Sequence, residues 1–361
     1  MRITCIAFVL GLAALSGVAS AQTDKILMKD GKEKSNVKII SEDYDGVRIE
    51  LAGGNGTTGV RLKEIASVKY GSADKYNQAL DQFNAGKFAE AQPLFEALAA
   101  DTKQRQVIRH NVVYRLGLIY QALGDADKAI AQFQDVLKSF PKTRYLLNIE
   151  ESLLEIYLGR SDVSSAQSAV DSAFGAAQAA GMDPSLQAGF GVLRGRLLEQ
   201  QKKFTEATTL YDTTAAASGA EPDVVAAAKL GAARSAQAGG NDADATRRYK
   251  ELIVLDAPNS VLAGAWNGLG DLYMKEAAAK RDIDGMRDAL FAYLRPVVLY
   301  VPEREASTEE YERALAGSAQ CFKGISELEQ DPKVKKEYLE RSRVRLEQLK
   351  RDYPKSRFIP K

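Results

Sequence analysis

The sequence predicts a mainly α-helical solenoid of stacked helical hairpins, preceded by a small β-barrel-like domain. A pattern of small and aromatic residues recurs at intervals of 37 to 44 residues through most of the chain. The segment before it alternates apolar and polar residues between Gly-containing turns, as half-buried strands do. The chain is also long for one compact core, so an array is expected. The predicted divisions are residues 1–21, 22–71 and 72–361.

Residues 1–21 have the layout of a secretory signal peptide. Arg2 precedes an apolar run over residues 3–15, and Ala19, Ser20 and Ala21 form a small-residue cleavage site. The run is short for a membrane span, and Cys5 lies near its start rather than just after it, so lipid attachment is not expected. We therefore expect cleavage after Ala21 and a periplasmic or secreted protein with no transmembrane segment. An uncleaved membrane anchor is the alternative.

Residues 22–71 should form four or five short strands. Tight turns are predicted at 29–32, 43–46 and 53–56. The predicted strands are Ile26–Met28, Val37–Ile40, Val47–Leu51, Val60–Leu62 and Ile65–Tyr70.

The order of these strands resembles SH3-like and Sm-like barrels, which implies binding of a peptide or RNA. RNA binding is disfavoured for two reasons. The chain is expected to be exported, and only Tyr44 and Tyr70 are candidates for stacking on bases. A barrel of this size is marginal alone. We expect it to pack against the first hairpin and cap that end of the array.

The clearest repeat runs from Leu116 to Pro141. Leu116 and Tyr120 share one apolar helix face, Gly124 ends that helix, and Pro141 cannot continue the second one. Gly117 and Ala129 are small where the two helices must cross. One hairpin cannot bury such faces alone, so neighbours are expected to cover them.

Copies of both halves of this repeat follow along the chain. The small-residue position of the first helix lies twelve residues before the Ala of the second in three copies. The Ala-x3-aromatic half recurs as Ala91/Phe95, Ala129/Phe133, Ala207/Tyr211, Ala245/Tyr249 and Ala289/Tyr293, with Ala166/Val170 a weaker copy. These copies predict about six hairpins. Residues 275–285 extend a first helix or insert a linker, and residues 332–350 form a closing helix with a polar outer face.

The pattern Leu-Gly-x2-Tyr, Ala-x3-Phe, Pro resembles the tetratricopeptide repeat. This resemblance covers about four-fifths of the mature chain. Within the family, the chain is most similar to exported bacterial members. It implies a curved solenoid that binds proteins and has no catalytic centre.

Composition gives little support for other classes of function. Lys and Arg number 49 against 48 Asp and Glu, and without Arg2 the balance is 48 to 48, unlike a nucleic-acid binder. His110 is the only histidine, and a solvated or capping role is expected for it at a helix start. Cys321 should pack in a helical core, and Glu150, Glu151 and Glu155 are interpreted as surface charges. We expect no cofactor, no metal and no enzymatic activity.

The resemblance places ligand contacts on the first helices, which line the concave face in that family. The corresponding positions are Asn111, Tyr114, Leu118, Glu151, Glu155, Arg196, Asn267 and Asp271, with Asn148, Val192 and Met274 at equivalent places. Tyr114 and Arg196 are the expected anchors for an extended peptide or a partner helix. The Lys/Asn/Arg set that holds a C-terminal carboxylate in chaperone-binding relatives is missing. Ordinary exposed residues remain the alternative at each position.

The sequence therefore predicts a non-catalytic scaffold of the bacterial cell envelope that binds protein partners. The rival hypothesis is a module that binds peptidoglycan or another glycan. Such a module should carry clustered exposed aromatic residues, but the only tryptophan, Trp266, belongs to the repeat motif. The oligomeric state and the partner are left open.

Overall fold

A computed structural model of the chain describes residues 23–51, 56–302 and 307–360. A small β-sheet comes first, and in this described part fourteen α-helices follow it. The predicted signal segment and residues 53–55 of a predicted turn lie outside the described residues. No helix within the described residues is long and apolar enough to cross a membrane.

The sheet is antiparallel and has the strand order β4-β3-β2-β1-β5. Its strands are β1 (Asp24–Met28), β2 (Glu33–Asp43), β3 (Gly46–Leu51), β4 (Thr57–Val60) and β5 (Ile65–Lys69). The prediction of a small strand-rich unit is confirmed, but the predicted closure into a barrel is not. The edge strands β4 and β5 do not pair with each other, and Leu62 belongs to a short 3-10 turn rather than to a strand.

The open sheet is explained by where its apolar face is buried. Three of its strands each contribute an isoleucine to this face, namely Ile26, Ile39 and Ile49, and each is at most 2% exposed. They share one core with Val107 and Ile108 of the helical array. The sheet therefore completes its core against helices and does not need to close on itself.

The helices form antiparallel hairpins that pack one after another. Each hairpin has a first and a second helix, and the described residues contain seven of them. They are α1 (Asp74–Asn84) with α2 (Phe88–Ala100), α3 (Gln106–Leu123) with α4 (Ala126–Ser139), α5 (Leu146–Gly159) with α6 (Val163–Ala179), α7 (Pro184–Gln200) with α8 (Phe204–Ala215), α9 (Pro222–Ala238) with α10 (Asp242–Leu252), α11 (Asn259–Lys280) with α12 (Ile283–Leu299), and α13 (Glu309–Leu328) with α14 (Pro332–Asp352).

Two details differ from the sequence prediction or complete it. The closing helix is not a separate cap, because α14 pairs with α13 as a seventh hairpin. The insertion after Gly270 is an extension, since α11 runs unbroken to Lys280.

In the first six hairpins the two helices are joined by a sharp turn with one left-handed residue. In the second hairpin this residue is Gly124, with φ 87°, and Asp125 then caps α4 by accepting the N–H of Lys128. In later turns the same left-handed backbone conformation is adopted by Ser161, Lys202 and Arg281, with φ between 53° and 59°. The turn geometry therefore persists where the sequence does not supply glycine.

Glycines on first helices receive the aromatic rings of second helices. A Cβ on Gly117 would lie 2.6 Å from Cε1 of Phe133, in the same hairpin. The ring of Tyr211 packs in the same way against two first helices. Cβ atoms on Gly195 of its own hairpin and on Gly231 of the next hairpin would both collide with this ring. The ring thus ties neighbouring hairpins together, which is why small residues recur at this spacing.

The sheet is attached to the array by buried charges. Asp24 is 2% exposed and accepts hydrogen bonds from both Nη atoms of Arg105, at 2.9 and 2.6 Å, and from the N–H groups of Ile39 and Gly71. Burial alone would raise the Asp24 pKa, but these hydrogen bonds outweigh it and hold the pKa below its ordinary value.

A second group of buried polar contacts lies beside this pair. Glu42 accepts hydrogen bonds from the hydroxyl of Tyr70 and from Asn111 of α3, and it pairs with Arg144 at 3.2 Å. The sheet therefore contacts the second hairpin and the start of the third as well as the first.

Candidate functional site

The candidate site is the inner face of the array, which is built from the first helices. Successive first helices pack side by side along the array, so their free side chains form one continuous surface. Arg234 of α9 reaches past α11 to form an ion pair with Glu310 of α13. Side chains two hairpins apart can meet only on the inside of a curve, and this surface is therefore concave.

Three of the predicted contact residues, Asn111, Tyr114 and Asn267, are buried and present little side-chain surface to a ligand, so their part in binding stays a prediction. Asn111 is 2% exposed and donates to Glu42 and to the carbonyl of Val107. The ring of Tyr114 stacks on that of Tyr145, with centroids 3.8 Å apart. The physical reason is that the sheet and the start of the third hairpin cover this part of α3.

Asn267 is buried for a different reason, the tight curvature of the last three hairpins. It is fully buried and donates to the backbone carbonyl and to a carboxylate oxygen of Glu310, both at 2.8 Å. The same carboxylate group also forms an ion pair with Arg234. Asn267 thus joins α11 to α13 and does not reach the groove.

Five predicted positions remain accessible on the concave face. Leu118, Arg196 and Asp271 are half-buried, whereas Glu151 and Glu155 are exposed. Their charges are already used between hairpins: Arg196 of α7 binds Glu151 at 2.7 Å and Glu155 at 3.4 Å on α5. Asp271 pairs with Arg313 of α13. Whether a ligand competes for these groups stays a prediction.

The carboxyl group of Glu155 is perturbed by its position in the concavity. Burial raises its pKa, and the nearby Arg196 only partly opposes this effect. Glu309 of α13 adds a small rise of the same sign. A carboxylate from the seventh hairpin therefore acts on one from the third, which again reflects the curvature of the array.

A groove that the sequence analysis missed lies further along the same face. It has a volume of about 430 Å³ and lies between α9, α11 and α13. Its walls are formed by Arg234, Gln237, Ala238, Asp242, Leu272, Lys275 and Arg313. Lys275 and Asp242 bridge its mouth at 2.5 Å. These residues come from three hairpins, so no local motif indicates them.

Two buried atoms in the wall of this groove have no hydrogen-bond partner in the described part of the chain. They are Nε of Arg234, a donor, and Oδ1 of Asp242, an acceptor. Native proteins seldom leave such atoms unpaired.

The residues considered for chemistry lie in the core. His110 is 2% exposed, so the expected solvated role is wrong; it stacks on Phe140, and its Nε2 lies 2.5 Å from Oγ1 of Thr143. Burial, assisted by Arg144 and Arg115, lowers its pKa to about 4. Cys321 is fully buried, as predicted, and burial raises its pKa to about 12.

Glu150 also differs from its interpretation as a surface charge. It is 1% exposed, and burial alone raises its pKa to about 8. Across the described residues, no three His, Cys, Asp or Glu side chains are grouped so that they could hold a metal ion.

Comparisons with solved structures return repeat proteins of low similarity. A tetratricopeptide repeat protein from Parabacteroides merdae is 16% identical, with a TM-score of 0.43 over 75% of this chain and 98% of that one. Pseudomonas aeruginosa pilF is 16% identical, with a TM-score of 0.41 over 69% and 94%. A putative kinesin light chain with TPR-like repeats from Podosopora anserina is 19% identical, with a TM-score of 0.39 over 50% and 91%.

No curated protein matches the chain. A match at the level of a family comes from the second hairpin, whose residues also show the clearest repeat in the sequence. Residues 112–143 match the tetratricopeptide repeat family.

Proposed function

We propose that the chain is a non-catalytic scaffold of the bacterial cell envelope that binds a partner protein on its concave face. Tetratricopeptide repeats generally mediate protein–protein interactions, and the match in the second hairpin supports that class. The continuous inner surface of first helices supplies a long binding face.

The observation that carries this proposal is the groove between α9, α11 and α13. Its wall is formed by polar and charged side chains from three hairpins, among them Arg234, Gln237 and Asp242, which can bind the carbonyl and N–H groups of an extended peptide. Lys275 and Arg313 in the same wall are paired with Asp242 and Asp271, so an acidic side chain on that peptide would exchange for one of these carboxylates. The rest of this concave surface carries the predicted contact residues that remain accessible, which are Leu118, Glu151, Glu155, Arg196 and Asp271.

Site-specific photo-crosslinking in cells tests the face. A crosslinking residue replaces Leu118, Glu155 or Lys275 on the inner side, and Gln178 of α6, which is exposed, serves as the control. We expect one partner protein to be captured from the three inner positions and not from Gln178. Capture from Gln178 alone, or no difference between the four positions, would contradict a concave binding site.

Arg234 provides a test of the groove itself. Arg234→Lys keeps the positive charge opposite Glu310 but removes the Nε donor, whereas Arg247→Lys makes the same exchange on exposed α10. We expect only the first variant to weaken capture of the partner. Equal capture by both would show that the guanidinium of Arg234 in the groove wall is not required.

Export and the glycan alternative need separate measurements. If the signal segment is cleaved as proposed, the mature protein begins at Gln22 and is found in the periplasmic or secreted fraction. Retention of Met1 in the cytoplasm would contradict the envelope location. Binding to purified cell-wall sacculi without any crosslinked protein would favour the glycan-binding function instead.

A further inference from the structure

The outer surface of α12 carries apolar side chains that nothing in the described chain covers. Phe291 is 63% exposed and Val298 is 68% exposed, while Leu299, one residue on, is 58% exposed. Scattered single apolar residues on a surface need no explanation, but several together mark an interaction site.

Neighbouring segments extend this apolar surface. Arg295, one turn after Phe291, lies over the ring of Trp266 of α11 at 4.3 Å. Trp266 and Ile253, in the segment that follows α10, pack against one hydrophobic core. The next residue of that segment, Val254, is 78% exposed. We call the exposed surface formed by Phe291, Arg295, Val298 and Leu299 the α12 face.

The α12 face has the residue spacing of a helix–helix seam. Asp284, Asp288, Phe291, Arg295 and Val298 are all exposed and follow each other at intervals of four and three residues. This alternation keeps side chains on one narrow stripe that a second helix can follow.

The charges on this stripe are arranged symmetrically about Phe291. Asp288 lies three residues before Phe291 and Arg295 four residues after it. Neither has an ion pair with any residue that the structure describes, whereas Arg287 on the same helix is paired with Asp284. Two unpaired opposite charges flanking an aromatic residue make a surface that complements itself.

We propose that the α12 face binds the same face of a second copy of the chain, with the two α12 helices antiparallel about a twofold axis near Phe291. In this arrangement the two Phe291 rings meet, and Asp288 of each copy faces Arg295 of the other. A twofold interface uses one patch twice, and it therefore requires the self-complementary charge order observed here. A partner of uniform charge would leave either Asp288 or Arg295 opposed by a like charge.

Charge reversal tests this pairing on the full mature chain. Asp288→Arg and Arg295→Asp each place like charges opposite one another and should make the protein monomeric in sedimentation velocity. Mixing the two variants restores both pairs, so the mixture should form heterodimers. The double variant Asp288→Arg with Arg295→Asp should form dimers again. Circular dichroism establishes that each variant is folded.

An apolar substitution provides the independent test. Phe291→Ser should raise the dissociation constant of the dimer on the order of tenfold or more, as loss of a central aromatic contact does. Leu339→Ser on α14 is the matched control, because Leu339 is 54% exposed but far along the chain from α12. It should leave the dissociation constant unchanged.

A wild-type protein that stays monomeric up to its highest soluble concentration would overturn the proposal. So would a dimer that Phe291→Ser weakens no more than Leu339→Ser does. Failure of the two charge variants to associate when mixed would refute the antiparallel register. These outcomes are independent of whether the concave face binds a partner.

Discussion

Glu150 on α5 is a carboxyl group enclosed by apolar packing. It lies one helical turn from Leu146 and one from Leu154, which share a core with Phe190. Its Oε2 has no hydrogen-bond partner in the described part of the chain, and burial alone raises its pKa to about 8 from an ordinary 4.5. The folded protein therefore keeps this proton over a pH range in which the unfolded chain has lost it.

The sign and size of the effect follow from this difference. Between pH 4.5 and pH 8 the folded state binds more protons than the unfolded state, so the free energy of unfolding falls as the pH rises. At about 1.4 kcal/mol for each pKa unit, the loss across this window is at most about 5 kcal/mol. Local rearrangement and entry of water would reduce it.

Glu150→Gln removes the ionisation and keeps the shape of the side chain. We expect the variant and the wild type to unfold at similar urea concentrations at pH 5, and the variant to be more stable by a few kcal/mol at pH 8. Glu90→Gln, at an exposed carboxylate on α2, is the matched control and should retain the wild-type pH dependence. If Glu150→Gln lost stability with pH as steeply as the wild type, the burial argument would be refuted.

Three further predictions concern buried groups. His110, whose pKa is lowered to about 4, should make the protein lose up to about 3 kcal/mol of stability as the pH falls from 6.5 to 4, and His110→Gln should reduce this acid sensitivity in urea titrations. Arg105→Met leaves Asp24 buried and unpaired, so we expect a loss of about 3–5 kcal/mol and faster hydrogen exchange in β1 and β2, whereas Arg48→Met at an exposed site in β3 should change neither. Cys321 should react with alkylating reagents only when the chain unfolds, and reaction in native buffer would contradict its burial.

The sequence was most informative where one residue type is needed at a fixed spacing. Gly117, Ala129 and Phe133 were recognised because close helix crossing permits only small residues opposite an aromatic ring. The same logic missed the seventh hairpin, because α14 contains no alanine and therefore has no Ala-x3-aromatic pair. Ser342 of α14 instead donates to the carbonyl of Ala319.

Long-range polar contacts could not be read from the sequence. Arg105 and Asp24 are 81 residues apart, and nothing local to either indicates the other. The burial of Asn111 and Asn267 likewise depends on how tightly the array curves, which is the sum of many small rotations between hairpins. The groove around Arg234 and Asp242 was missed for the same reason.

Aromatic rings of second helices lie between glycines of successive first helices, and this packing joins the hairpins into one array. The most direct measurement compares the unfolding midpoints of Gly231→Ala and Gly175→Ala. A methyl group on Gly231 would lie 2.5 Å from Tyr211, whereas one on Gly175, within α6, meets nothing within 4 Å.

We expect Gly231→Ala to lower stability by about 1–3 kcal/mol through overpacking. Gly175→Ala should be neutral or stabilise by up to about 1 kcal/mol, because alanine favours an exposed helix. Equal effects of the two substitutions, or an unchanged midpoint for Gly231→Ala, would contradict the account.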